Sequence, residues 1–131
     1  VSFKEIGLSE EFEFLRTRFV DGYDNHIAVG EGWGGLIKEC HNALIAFDPN
    51  YKIYQIKQKF GGLRYYIKPS NDALVYRTSA IIAPFEKRSY LICEACGVNG
   101  NLRVKNRFYQ TLCVQHGPED YGFISASTIY H

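Results

Sequence analysis

Methionine is absent from the chain, tryptophan occurs once and proline four times, and no apolar stretch runs unbroken beyond a few positions, as at residues 43–47. A helix crossing a bilayer needs roughly 18 to 20 consecutive apolar residues, so no transmembrane segment is expected. The opening Val1-Ser2-Phe3-Lys4-Glu5-Ile6 lacks the basic patch and apolar core of a secretory leader, and a reducing cytoplasm is the expected setting. Motifs of common hydrolases and nucleotide binders are also missing: there is no Gly-x-Ser-x-Gly, phosphate-binding loop or His-Glu-x-x-His. Repeats, linkers and low-complexity runs are lacking too. What is present is 131 residues, 46% of them hydrophobic, enough to build a core without disulfide staples, since folding at this size buries roughly two thirds of the chain's surface. One domain over residues 1–131 is expected, with an α+β body over 1–92 and a subdomain over 93–122.

The formal charge of +1 hides an uneven distribution. Residues 1–50 carry four basic and nine acidic side chains, and residues 51–131 carry eleven basic and five acidic. Either the halves attract each other within one fold, or a basic surface is left for an external anion.

Ser9-Glu10-Glu11, followed by Phe12, Leu15 and Phe19, predicts a helix over about 9–20 with a hydroxyl cap and first-turn carboxylates. Leu36, Ile37, Cys40, Leu44 and Phe47 predict a second amphipathic helix, closed by Asp48-Pro49. Residues 52–60 and 63–68, rich in Ile, Tyr and Phe, predict two strands joined at Gly61-Gly62. Leu74, Thr78, Ile81 and Phe85 predict a helix between Asn71 and about Ile92, kinked or ended by Pro84. These elements make an antiparallel hairpin with helices packed on it.

The most specific pattern is Cys93-Glu94-Ala95-Cys96-Gly97 followed by Cys113-Val114-Gln115-His116. Zinc favours four tetrahedral donors, and a Cys-x-x-Cys bend presents two thiolates to one ion. Gly97 supplies the backbone freedom such a bend needs. Residues 102–105 and 107–112 predict a short hairpin turning near Asn106. A knuckle, a hairpin and a second pair opening a helix resemble the treble-clef class of zinc fingers over residues 93 to about 122, with Gly117-Pro118 making the closing helix short or displaced. A zinc ribbon is the related alternative. Four protein donors leave no coordination position for water or substrate, so Cys93, Cys96, Cys113 and His116 are expected to hold a structural ion. Two treble-clef enzymes are excluded by composition. An HNH-type nuclease needs histidine in the hairpin, and residues 99–109 have none. A zinc deaminase needs His-x-Glu and Pro-Cys-x-x-Cys, yet His26 and His41 precede Ala28 and Ala43 at that spacing, and Ile92 precedes Cys93.

A two-residue loop at Gly61-Gly62 places Phe60 opposite Leu63, Lys59 opposite Arg64, Lys57 opposite Tyr66 and Gln55 opposite Lys68. Alternation then collects Lys57, Lys59, Arg64, Tyr66 and Lys68 on one face. Opposed cations disfavour folding unless an anion compensates, and Lys and Arg beside a stacking tyrosine suit single-stranded or RNA ligands. Solvated charges guarding a sheet edge are the plainer alternative. Arg103, Lys105 and Arg107 repeat the pattern on the finger hairpin beside Phe108 and Tyr109.

Gly30-Glu31-Gly32-Trp33-Gly34-Gly35 satisfies Gly-x-Gly-x-x-Gly before a helix. A dinucleotide fold is not expected, because residues 52–60 end in Lys59-Phe60 and continue into a hairpin instead of forming a parallel strand with a terminal acid. Trp33 is expected to pack on the second helix. Cys40 and His41 point about 100° apart on a helix and do not form a nucleophile–base pair; Cys40 is expected in the core. Tyr121, Phe123, Ile129 and Tyr130 are expected to fold back on the domain.

Gly32-Trp33-Gly34, Lys59-Phe60-Gly61-Gly62-Leu63-Arg64-Tyr65-Tyr66, Cys93-Glu94-Ala95-Cys96-Gly97 and Thr111-Leu112-Cys113-Val114-Gln115-His116 together resemble a family of small uncharacterised bacterial and bacteriophage proteins over residues 32–116. The resemblance implies a prokaryotic or viral cytoplasmic setting and brings no activity. The expected function is binding without catalysis: nucleic acid through the two basic hairpins or, alternatively, a host or bacterial protein, as an interaction module or inhibitor. An enzyme with an unrecognised site is the third class, which a cleft joining Arg64, Glu31, Asp48 and His26 would favour.

Overall fold

The computed structural model describes residues 3–117 and, for the backbone, 122–124. Four strands form the body sheet in the order β1 (Glu5–Gly7), β2 (Ile27–Gly30), β3 (Lys52–Lys59), β4 (Gly62–Lys68). The helices are α1 (Glu13–Arg16), α2 (Gly34–Phe47) and α3 (Val75–Ser89). A second sheet has the order β6 (Phe108–Leu112), β5 (Asn101–Lys105), β7 (Gly122–Ile124), with one ligand pair before β5 and the other after β6. The α+β class is as expected.

Helix α2 forms where the apolar spacing places it. Leu36, Ile37, Cys40 and Leu44 recur at helical intervals and are buried with Trp33, Ile27, Val29, Ile53, Ile56 and Leu63 in one core. Burial of each such aliphatic side chain contributes about 1.5–3 kcal/mol. The helix stops at Phe47, and Asp48 accepts the Ser70 amide at 2.9 Å.

Helix α3 runs beside β4 and closes its open edge. The Leu63 amide donates to Ser89 Oγ and the Tyr65 amide to Glu86 Oε2, each at 2.9 Å. Two amides that would otherwise template another strand are thereby satisfied within the chain.

Four expectations require correction. Helix continues through Pro84 without a break; Pro84 and Ala80, one turn earlier, are both exposed, so water can serve the carbonyl that a proline leaves without a donor. Only Glu10–Phe12, as a 3-10 turn, and Glu13–Arg16 are helical in the first segment. Beyond them, Val20 donates to the Ile53 carbonyl at 2.9 Å and Ile53 to that of Arg18 at 3.0 Å, so sheet pairing takes the rest of the expected helix. The hairpin loop is Phe60-Gly61, both at positive φ (53° and 83°), with Lys59 opposite Gly62 and Lys57 opposite Arg64. Finally, β2 is parallel to β3, pairing Ala28 with Lys57, so β2, α2 and β3 do form a β-α-β crossover.

Candidate metal centre

Both ligand pairs sit on tight backbone bends. In the first, Gly97 takes φ +88° and its amide returns to the Cys93 carbonyl at 2.8 Å. In the second, the Gly117 amide reaches the Cys113 carbonyl at 2.8 Å. Strands β5 and β6 span the interval, turning through Asn106 and Arg107 at positive φ (52° and 67°). Among the described residues no helix opens at the second pair: residues 114–117 form a turn, and the next described segment, β7, pairs antiparallel with β5. Tyr121, Ile129 and Tyr130 lie outside the described residues, and Phe123 stands opposite Arg103 in the β5–β7 pairing.

The four donor atoms lie within 4.8 Å of one another. Cys96 Sγ and Cys113 Sγ are 3.8 Å apart, and His116 Nδ1 lies 3.2 Å from Cys113 Sγ and 3.8 Å from Cys93 Sγ. Tetrahedral zinc, with bonds near 2.3 Å to sulfur and 2.0 Å to nitrogen, sets donors about 3.5–3.8 Å apart. The donor set therefore fits such an ion. Burial pushes the Cys113 thiol up, but hydrogen bonds from the His116 ring and from the backbone of His116 and Gln115 outweigh it and bring Cys113 down to about 6. Cys93 and Cys113 are buried, His116 half-buried and Cys96 exposed.

The glycine-rich turn holds the first knuckle. The Gly32 amide donates to the Glu94 carbonyl at 2.8 Å, and the Gly30 amide to the Glu94 carboxylate at 3.0 Å. A Cβ at Gly32 would fall inside contact distance of the Cys93 carbonyl and 2.6 Å from both the Glu94 carbonyl and the Gly97 nitrogen. The buried Trp33 indole donates to the Ile92 carbonyl at 2.8 Å. A turn with the spacing of a phosphate cradle is thus occupied by a carboxylate of its own chain. Burial pushes the Glu94 carboxyl up to about 7, against the Gly30 hydrogen bond and with help from Glu5; among the described residues its Oε1 has no hydrogen-bond partner. Composition could have flagged the glycines, but only tertiary contact shows what fills the turn.

The tip of the β3–β4 hairpin rests on the finger sheet. Thr111 Oγ1 donates to the Gly61 carbonyl at 2.8 Å, and Gln58 Nε2 to that of Tyr109 at 3.1 Å. Gly62 lies against the Tyr90 ring, and a Cβ there would fall 2.6 Å from Tyr90 Cε2.

Lys57, Lys59, Arg64, Tyr66 and Lys68 share a face even in the corrected register, because the loop moved by a whole pairing step. Lys59, Tyr66 and Lys68 are exposed, and Lys57 is half-buried. Arg64 instead donates to the Leu63 carbonyl (3.0 Å) and Tyr90 Oη (3.3 Å). Arg103 Nε donates to the Leu112 carbonyl at 3.0 Å, beside the second knuckle; Lys105 is half-buried and Arg107 exposed at the turn. Two residues that sequence reasoning missed join this face. Tyr23 and Tyr54 pack with tilted rings, centroids 4.9 Å apart, and, with Gln55, Asp24 and Tyr66, line a cavity of about 510 Å³. Tyr23 is brought there by the loop before β2, and no local pattern signals that.

Arg64, Glu31, Asp48 and His26 serve separate ends: His26 faces Glu5 at 3.6 Å, Asp48 holds Ser70, Arg64 holds Tyr90, and Glu31 lines a cavity beside Cys96 and His116. Cys40 is fully buried, with its thiol pushed up to about 12 by burial and the Glu86 charge.

Fold and site together define a small α+β protein with a Cys3His group that could hold a metal ion and is consistent with zinc. No helix among the described residues is long and apolar enough to cross a membrane. No protein-family model, curated protein or solved structure matches the chain.

Proposed function

We propose that zinc is the resident ion, that its role is structural, and that the protein is a non-enzymatic nucleic-acid-binding protein whose contact surface is the outer face of β3 and β4. Three sulfurs and one nitrogen supply a full tetrahedral shell. The observation that carries the binding surface is the engagement of the acidic first segment elsewhere. Glu11 pairs with Lys38 and Glu13 with Arg16, while among the described residues no carboxylate lies within ion-pair distance of Lys57, Lys59 or Lys68. These lysines flank Tyr66, Tyr54 and Tyr23. Bases stacking on aromatic rings contribute about 1–3 kcal/mol each, and the lysines would neutralise the phosphates between them. The bacterial or bacteriophage cytoplasm implied by the family resemblance belongs to the same proposal.

The test is a fluorescence titration with short single-stranded oligonucleotides at several salt concentrations. Each phosphate contact contributes about 0.7 to the slope of log K against log salt for single strands. Replacing Lys57, Lys59 and Lys68 together by Gln is expected to flatten the slope by about 2, and Tyr66→Ala to weaken binding at all salts. Arg64 is a poor probe because it supports Tyr90. No association with single- or double-stranded oligonucleotides at low salt overturns the proposal and turns the search to a protein partner.

A further inference from the structure

A hydrogen-bond chain runs through the core on the side of α2. His41 Nδ1 lies 2.7 Å from Tyr51 Oη, which lies 2.8 Å from Tyr65 Oη. All three side chains are buried. Each phenol has one proton to give, and among the described residues Tyr65 Oη has only Tyr51 Oη to receive it. Tyr51 then donates to His41 Nδ1, and the imidazole carries its proton on Nε2. Burial and the Arg18 charge lower the pKa of His41, which keeps the ring neutral in that tautomer.

His41 lines a cavity of about 400 Å³ with Phe14, Thr17, Arg18, Asn50 and Lys52. No carboxylate lines it among the described residues. Arg18 is held in place: its Nη1 donates to the Tyr51 carbonyl (2.7 Å), its Nη2 to that of Pro49 (2.8 Å), and the guanidinium lies 4.7 Å from the Tyr51 ring centre. Its orientation is set before any ligand arrives, which lowers the ordering cost of binding. Phe14, 42% exposed, packs against the His41 ring at 5.1 Å and offers the cavity an aromatic wall.

We infer that this cavity binds a phosphate monoester, with the oxyanion on Arg18, Lys52 and the His41 Nε2–H and the organic part against Phe14. Two full positive charges and a third fixed donor suit a tetrahedral dianion better than a carboxylate, which brings one charge and two oxygens. The volume lies within the range of small-molecule sites and exceeds what a bare phosphate fills. The inference does not rest on the hairpin surface, but Lys52 stands opposite Lys68 at its margin, so Lys57 and Lys59 serve as the controls.

The test follows the imidazole resonances of His41 by NMR in the metal-loaded protein, titrated with inorganic phosphate, adenosine 5′-monophosphate and a trinucleotide with or without a 5′-phosphate. A saturable shift of His41 with adenosine 5′-monophosphate is expected, at lower concentration than with inorganic phosphate. Lys52→Gln, at an exposed position, is expected to weaken it about tenfold or more. Lys57→Gln and Lys59→Gln are expected to leave it unchanged, which separates this site from the hairpin face. A shift that needs the trinucleotide's 5′-phosphate supports the site with a strand end as its source, whereas a shift confined to the mononucleotide supports it with a free nucleotide. Unmoved His41 resonances in every titration, or full binding by Lys52→Gln, overturns the inference.

Discussion

Gly32→Ala tests the union of the glycine-rich turn with the metal knuckle. The added methyl would meet three backbone atoms of residues 93–97, the Cys93 and Glu94 carbonyls and the Gly97 nitrogen, none of which can rotate away as a side chain would. Overpacking of this kind costs about 1–3 kcal/mol. If the knuckle lifts, the bond from the Gly32 amide to Glu94 breaks and leaves polar groups unpaired, at about 1–3 kcal/mol more. The expected loss is therefore about 2–6 kcal/mol in urea denaturation of the metal-loaded protein, accompanied by weaker zinc affinity in a chelator competition. Gly35→Ala is the control. Nothing lies within 4 Å of a Cβ there, and alanine at a helical position of α2 is expected to be neutral or to stabilise by up to about 1 kcal/mol. Wild-type stability and metal affinity in Gly32→Ala would refute the reasoning.

Tyr51→Phe leaves both His41 Nδ1 and Tyr65 Oη without their partner, whereas Tyr65→Phe removes only the terminal donor. Calorimetry is expected to show a loss of about 2 kcal/mol or more for the first and about 1 kcal/mol for the second; equal losses would contradict the chain. Burial raises the Glu86 carboxyl above its ordinary value of 4.5, opposed by the Tyr65 amide and Arg64. Between 4.5 and the higher folded value the native state keeps a proton that the unfolded chain has released, so this group's contribution to stability falls as pH rises through that window. Glu86→Gln, which can still accept from Tyr65, is expected to remove that slope in denaturation midpoints measured across pH. Chelation of the metal is expected to unfold residues 93–117, since comparable sites contribute on the order of 10 kcal/mol; unchanged amide exchange there after chelation would contradict it.

Residues 34–47, 75–89 and the cysteine pairs were legible because each answers to a local rule: apolar spacing for the helices, ligand spacing for the knuckles. The misread parts answer to distant contacts. Gly61-Gly62 looks like a loop by itself, yet Gly62 belongs to β4 because the Tyr90 ring lies over it, and the loop falls on Phe60-Gly61 instead. Residues 17–20 continue a helical pattern but are drawn to Ile53 by strand-like hydrogen bonds. The parallel pairing of β2 with β3 has no signature in residues 52–60, whose identity as strand was clear and whose second neighbour was not. The basic face survived the register error because a step of one whole pair preserves alternation. Arg64 was assigned to it, and Arg103 to the finger hairpin, by residue type, and only the fold shows that both hold their own backbone or neighbouring side chains.

X-ray absorption at the zinc edge, on protein purified without added metal and quantified by mass spectrometry, addresses the Cys3His group most directly. One zinc per chain is expected, bound by three sulfurs near 2.3 Å and one nitrogen near 2.0 Å. A shell dominated by oxygen, or a folded protein in which Cys113→Ser leaves zinc content unchanged, would contradict it.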